Sequence, residues 1–220
     1  MHGYLADSNS FVYQKRFFER EFDVYAIDFK GFGKNAGMEY PYSLDDYKAQ
    51  LLKFMVDNNI TYPHVLAHSF GARVLLKTAY ENPRIFDKLV LTGAAGLRPK
   101  KTLKKTLKKC VFKILKLVFP KRKLTRFYSK DYLQLSPVMK KSFVKIVSEH
   151  LDYTLDKIDN QTLLVFGKND KETPLYMAKR FNKKLKNSRL EIFSNAGHFP
   201  FIDKSIKFNY IMREFLLSKD

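Results

Sequence analysis

Short apolar runs alternate along the chain with segments whose apolar residues recur every three or four positions. The runs are rich in β-branched and aromatic residues, which predicts strands. Five strands are predicted in this way: residues 22–28 (FDVYAID), 64–69 (HVLAHS), 87–93 (DKLVLTG), 162–167 (TLLVFG) and 189–194 (RLEIFS). Because the runs are mostly apolar throughout rather than alternating with polar residues, we expect a parallel sheet that is covered on both faces.

The segments between these runs predict amphipathic helices. One begins at Ser43, which has the spacing of a capping box with Asp46, and the next follows residue 69 directly and ends at Pro83. Pro174 opens a third helix, and a fourth occupies the C-terminal residues. Their apolar positions are Leu44, Tyr47, Leu51, Phe54 and Met55 in the first, Leu175, Ala178, Phe181 and Leu185 in the third, and Ile206, Phe208, Ile211, Met212, Phe215 and Leu216 in the last. Strands alternating with helices predict an α/β fold.

The composition is that of one globular domain. The 220 residues are 45% hydrophobic, and no run approaches the roughly 18 apolar residues that a membrane span needs. Cys110 is the single cysteine, which excludes an internal disulfide framework and a metal site made of several cysteines. The N-terminal residues do not resemble a signal peptide. We therefore expect a soluble, cytoplasmic protein.

The net charge of +19 is concentrated in one segment. Residues 98–130 contain 14 Lys and Arg and no Asp or Glu, whereas the rest of the chain carries 27 basic and 22 acidic side chains. No zinc-ligand spacing, helix-turn-helix pattern or aromatic RNA-binding motif accompanies this charge, so we do not expect a nucleic-acid-binding protein.

Polar residues follow four of the predicted strands. Asp28 follows the first, Ser69 the second, Asp170 the fourth and His198 the fifth. The working residues of parallel sheets lie beyond the carboxyl ends of the strands. We therefore predict Ser69 as a nucleophile, His198 as its base and Asp170 as the carboxylate that orients the base, and Asp28 as a loop organiser. An inert turn serine and a structural loop histidine are the alternatives.

Five motifs, in family order, resemble those of the α/β-hydrolase fold family over nearly the whole chain. AHSFGA (67–72) resembles the nucleophile elbow G-x-S-x-G, with Ala67 in the first glycine position. The other four are GKNDKETP (167–174) for the acid loop, NAGHFPFID (195–203) for the histidine loop, HGY (2–4) for the HG segment, and DFKGFGKN (28–35) for the D-x-x-G-x-G-x-S loop, with Asn35 where serine is usual.

The resemblance implies a serine hydrolase that needs no metal or organic cofactor. It would act on a small-molecule carboxylic ester, thioester or amide through an acyl-enzyme, with the backbone N–H groups of Tyr4 and Phe70 as the oxyanion hole. A second branch of the family remains open, because SFGAR resembles the S-x-G-G-R of C–C bond hydrolases and menaquinone-pathway synthases. In that branch Arg73 would bind a substrate carboxylate, whereas its alternative role is a structural ion pair.

The interval 96–159 interrupts the alternation where this family inserts a helical lid, which leaves 1–95 and 160–220 as the core. Within it, residues 101–119 predict a helix with lysines on most of its surface. Its apolar face would consist of Leu103, Leu107, Val111, Ile114 and Val118. Three interpretations remain open for this helix: a plain lid, peripheral contact with an anionic membrane, and steering of anionic substrates.

The resemblance also raises a question about the N-terminus. In this fold strands precede the HG motif, whereas here the motif begins at His2, so the first strands are expected to be absent and the Tyr4 N–H to be poorly fixed. Either translation starts further upstream, or the chain is a truncated, inactive remnant or a binding protein.

Overall fold

The computed structural model describes residues 1–100 and 130–218, and these form a parallel sheet covered by helices. The sheet of this described part has four strands in the order β1-β2-β3-β4. Their bounds are β1 Val65–His68, β2 Leu89–Thr92, β3 Thr162–Gly167 and β4 Ser188–Phe193. All neighbouring pairs are parallel, which confirms the predicted fold class and four of the five predicted strands.

The helices lie between the strands, at the chain's start and at its end. They are α1 Val12–Phe18, α2 Leu44–Asp57, α3 Phe70–Glu81, α4 Lys130–Gln134, α5 Pro137–Ser148, α6 Leu175–Lys184, α7 Pro200–Asp203 and α8 Ser205–Leu217. Short 3₁₀ turns occupy Ser8–Phe11, Gly33–Asn35 and Leu155–Lys157. The predicted capping box is present, because Ser43 and Asp46 each accept the other's backbone N–H.

The sheet buries both of its faces. Leu91 and Leu164 belong to a core cluster with α2, α3 and α6, whereas Val90 and Val165 belong to a second cluster with α1 and α8. The period-2 alternation of strand side chains accounts for this division between neighbouring residues. The carboxyl ends of the four parallel strands therefore lie side by side at one edge of the sheet.

The prediction of a strand at residues 22–28 is wrong. The segment runs without regular structure and has no strand beside it among the described residues. Between this segment and the start of β1 lies an apolar cavity of about 360 Å³, lined among others by Val24, Ile27, Val65 and Leu66. The apolar residues Phe22, Val24 and Ile27 pack against this part of the core. Because no described strand lies beside the segment, its backbone cannot form the hydrogen bonds of a sheet.

The predicted lid is only partly within the described residues. Helices α4 and α5 fall inside the interval 96–159, and α5 packs on the core through Met139 and Ile146. The predicted basic helix 101–119, with its apolar positions Leu107, Val111 and Ile114, lies outside the described part of the chain. Among the helices that the structure does describe, none is long and apolar enough to cross a membrane.

Candidate active site

Ser69 occupies a strained turn between β1 and α3. Its backbone has φ 47° and ψ −103°, a conformation that costs an ordinary residue about 1–3 kcal/mol. The surrounding structure holds it there, because the Ser69 N–H donates to Thr92 O (3.1 Å) and the Ala95 N–H donates to Ser69 O (3.3 Å). A serine so placed projects from the carboxyl end of β1 at the start of a helix, which is the arrangement of a nucleophile elbow.

Asp170 and His198 come together in the loops after β3 and β4. His198 Nδ1 lies 2.8 Å from Asp170 Oδ2, and the same oxygen accepts the Thr173 hydroxyl at 2.6 Å. The other carboxylate oxygen accepts the backbone N–H groups of Glu172 and Thr173, each at 2.8 Å. Burial alone would raise the pKa of Asp170, but the hydrogen bonds from His198 and Thr173 outweigh burial and lower it to about 2. Asp170 is therefore an ionised, immobilised acceptor for the imidazole.

The second imidazole nitrogen does not contact the serine in this structure. His198 Nε2 lies 3.3 Å from the Glu172 carboxylate, and Ser69 Oγ forms no hydrogen bond with any described residue. The Glu172 side chain is 70% exposed, so its contact with His198 is screened by solvent and weak. Nucleophile–base hydrogen bonds are often long or absent before substrate binds.

The segment of residues 1–4 is fixed against the elbow, contrary to the expectation that it would be loose. The Met1 amine donates to Leu66 O (2.7 Å), and the His68 N–H donates to Met1 O (3.0 Å). The Gly71 N–H donates to His2 O (3.1 Å). Met1 and His2 thus form hydrogen bonds with the free edge of β1 and the first turn of α3. These bonds hold the segment in place, as a preceding strand was expected to do.

His2 adds a side-chain anchor to the same segment. Its Nε2 accepts the Phe29 N–H (3.0 Å), so Nδ1 carries the proton and donates to Gly3 O (2.7 Å). Burial lowers the pKa of His2 to about 4, which keeps the ring neutral. The HG motif is thereby joined to the D-x-x-G-x-G-x-S-like loop.

Two backbone N–H groups are available beside the elbow. Phe70 is the first residue of α3, so its N–H has no acceptor within the helix. Neither this group nor the Tyr4 N–H donates to a described residue. The Tyr4 ring contacts Phe32, Phe70 and Phe143, and its hydroxyl donates to Met139 O (3.0 Å), so α5 covers this side of the site.

Asp28 organises a loop, as predicted. Its two oxygens accept the backbone N–H groups of Ser8 (2.7 Å) and Lys34 (3.0 Å). It thus holds the turn around Gly33 to the chain before α1 and contacts none of the predicted catalytic residues.

The Arg73 side chain forms hydrogen bonds with the backbone of the protein. One nitrogen of its guanidinium donates to Ile146 O (3.1 Å) and Glu149 O (2.8 Å) at the end of α5. Burial lowers the pKa of Arg73 to about 10, which leaves it charged at neutral pH. In this structure the side chain ties α3 to α5, and no described contact directs it toward Ser69.

Replacing Arg73 by methionine is expected to lower the free energy of unfolding by about 2–4 kcal/mol, because two buried carbonyl groups lose a charged donor. Hydrolysis of uncharged esters should be little affected in the folded variant. Urea unfolding curves and rates with an uncharged ester check both parts. A large loss of turnover in a variant of normal stability would instead place Arg73 in contact with substrate.

Sequence reasoning missed Thr173 and Glu172, which both contact the predicted Asp170–His198 pair. Thr173 follows Asp170 by three residues, a spacing at which a hydroxyl and an N–H return to the carboxylate, so the acid loop contained this signal. Glu172 carries no comparable pattern. No group of His, Cys, Asp and Glu side chains in the described residues could hold a metal ion.

Comparisons with known proteins identify the family and the fold of the chain. The model of the Hydrolase_4 family, described as serine aminopeptidase, S33, matches residues 1–205. A hydrolase of Pseudomonas putida named 2-hydroxy-6-oxononadienedioate/2-hydroxy-6-oxononatrienedioate hydrolase 1 is 25% identical over 221 residues, covering 89% of this chain and 77% of its own. A pimeloyl-[acyl-carrier protein] methyl ester esterase of Neisseria meningitidis serogroup B is 41% identical over 64 residues, 29% of this chain and 25% of its own.

A solved structure gives the same result for the fold. The esterase EaEST from Exiguobacterium antarcticum superposes with a TM-score of 0.78 at 25% identity, covering 99% of this chain and 90% of that chain. The chain therefore shares the fold of this solved esterase.

Proposed function

Because the chain belongs to the serine aminopeptidase S33 family of α/β-hydrolases, we propose that it hydrolyses a small-molecule carboxylic ester, thioester or amide through Ser69, His198 and Asp170. The observation that carries the proposal is the 2.8 Å contact between Asp170 and His198 Nδ1, in the two loops that follow β3 and β4. A base oriented by a buried carboxylate is the arrangement that takes up and returns a proton in serine hydrolases, which supports the proposal.

The proposed reaction has two halves. In the first, His198 Nε2 accepts the Ser69 proton as Oγ attacks the carbonyl carbon, and the resulting imidazolium gives this proton to the leaving group. In the second, the same nitrogen takes a proton from water as the water oxygen attacks the acyl carbon, and it returns this proton to Ser69 Oγ as the acyl–serine bond breaks and the acid is released. The N–H groups of Phe70 and Tyr4 would donate to the carbonyl oxygen as its negative charge develops, and the N-terminus of α3 favours that charge.

The retained alternative is cleavage of a C–C bond, as the name of the Pseudomonas putida relative describes. The SFGAR motif favours this reaction only if Arg73 binds a carboxylate of the substrate. The donation of Arg73 to Ile146 O and Glu149 O supports the structural role instead. The local identity with a methyl ester esterase also favours an ester as the substrate.

A panel of substrates tests the proposed function. Purified protein is assayed with p-nitrophenyl acetate and butyrate, the matching thioesters and anilides, and a vinylogous diketone that carries a carboxylate. We expect turnover of at least one acyl substrate and none of the diketone. Turnover of the diketone alone would establish the C–C bond reaction. A folded protein inert toward the whole panel would favour a remnant or binding protein.

A further inference from the structure

His68 is a buried histidine that the proposed proton transfers do not use. It ends β1 immediately before Ser69, and only 1% of its surface is exposed. Its ring packs against those of His198, Phe199 and Phe201, with centroid separations of 4.7, 4.8 and 5.0 Å. A histidine enclosed by the loop that carries the proposed base can affect the position of that loop.

One hydrogen bond joins His68 to the histidine loop. Its Nε2 lies 2.9 Å from the backbone oxygen of His198. A carbonyl oxygen only accepts, so Nε2 carries the proton and donates, and the other nitrogen is unprotonated. Desolvation by burial lowers the pKa of His68 to about 3, which keeps this neutral form at physiological pH.

The two ends of this hydrogen bond are closely confined. A Cβ at Gly93, where φ is +50°, would lie 2.9 Å from His198 O, so this oxygen rests directly on the turn after β2. On the other edge of the ring, a Cβ at Gly3 would lie 2.6 Å from His68 Nδ1. Nδ1 itself is buried and has no hydrogen-bond partner within residues 1–100 and 130–218. The absence of a side chain at Gly3 makes room for the His68 ring, and the absence of one at Gly93 lets the His198 carbonyl lie against the turn after β2.

His68 therefore contacts the three parts of the site that must be aligned. It is covalently joined to Ser69, packs on Gly3 beside the proposed oxyanion donor Tyr4, and donates to the backbone of His198. No other described residue donates to His198 O. We propose that His68 is a positioning residue that fixes the backbone of His198 relative to Ser69, an inference that rests on the proposed function.

The position of His198 Nε2 in this structure explains why such an anchor is needed. The nitrogen now lies 3.3 Å from the Glu172 carboxylate and must be presented to Ser69 for catalysis. The hydrogen bond from His68 fixes the backbone of His198, while Asp170 holds its imidazole separately. A histidine loop without this anchor would displace both the ring and its hydrogen bond to Asp170, and displacements of about 1 Å can cost roughly 100-fold in rate.

Two variants separate positioning from packing. His68→Leu fills the space with an apolar side chain and removes the donor. In His68→Gln the amide nitrogen reaches about as far as Nε2 and still donates. We expect His68→Leu to lower kcat for a short p-nitrophenyl ester by roughly 10–100-fold with little change in KM. His68→Gln should restore most of kcat. Equal losses in both variants, or a normal kcat in His68→Leu, would overturn the positioning role.

A second readout does not depend on turnover. The proton shared between His198 Nδ1 and Asp170 should give a low-field resonance in proton NMR spectra of the wild type and His68→Gln, and a broadened or absent one in His68→Leu. If the wild type hydrolyses no ester but shows this pattern, the proposed function fails and the anchoring of His198 stands. An unchanged resonance in a folded His68→Leu variant would contradict the anchor whatever the activity.

Discussion

Replacement of Ser69 by alanine is expected to lower kcat for the best acyl substrate by roughly 10⁶-fold, the scale on which a nucleophile of a triad acts. The loss follows from the geometry of the turn, because no other hydroxyl occupies the position at φ 47° between β1 and α3. Asp170→Asn should cost less, roughly 10⁴-fold, since it keeps the shape of the site but disturbs the tautomer of His198. Stopped assays at saturating substrate measure both variants.

The matched control is Ser205→Ala, at the start of α8, which removes a serine hydroxyl from another helix. It should keep wild-type kcat. Circular dichroism and urea unfolding establish that each variant is folded. A Ser69→Ala variant with more than a small fraction of wild-type turnover, in a preparation free of other esterases, would exclude Ser69 as the nucleophile.

Stability is expected to fall steeply as the pH drops from about 6.5 to about 4. Burial lowers the pKa of His2 to about 4 and that of His68 to about 3, both from an ordinary value of 6.5. In this window the unfolded chain binds protons that the folded chain does not, so acid favours unfolding. Each histidine contributes up to about 1.4 kcal/mol per pH unit, a large effect against a typical total of about 5–15 kcal/mol. The part of the destabilisation that comes from His2 and His68 is absent above pH 6.5 and grows as the pH falls toward their folded pKa values.

Urea unfolding at a series of pH values between 7 and 4 measures this effect. His68→Gln removes one of the two groups and should flatten the dependence of the free energy of unfolding on pH. His64→Gln is the comparison: burial also lowers the pKa of His64, but Asp87 at 3.3 Å opposes this shift, so the variant should flatten the dependence less than His68→Gln does. If His68→Gln and the wild type lose stability in parallel over the whole range, His68 is not held neutral in the folded protein.

Apolar periodicity predicted most of the sheet and the helices around it, because β2 and β3 are short apolar runs buried on both faces, and β1 and β4 are partly buried runs beside them. It failed at residues 22–28, where apolar residues line a cavity and the backbone has no neighbouring strand. A strand depends on its partner as much as on its own composition, and the partner cannot be read from the segment itself. Helix α1 was missed because Val12–Phe18 mixes exposed aromatic residues with buried ones.

Strand ends and motif order predicted where Ser69, Asp170 and His198 would lie along the fold. The pairing of Asp170 with His198 follows from the adjacency of β3 and β4. The contact of Glu172 with His198 and the donation from His68 depend on side-chain directions that no spacing encodes. The same limit applies to Arg73, whose partners lie on α5, more than 70 residues away in sequence.

Covalent labelling with a fluorophosphonate tests the central claim most directly, since the reagent reacts with a serine activated by a neighbouring base. The account predicts that wild-type protein gains the mass of one phosphonyl group, that peptide mapping places it on Ser69, and that Ser69→Ala gains none. Asp170→Asn should react far more slowly than the wild type. Labelling of another residue, equal labelling of Ser69→Ala, or no labelling of folded wild-type protein would contradict the proposed Ser69–His198–Asp170 mechanism.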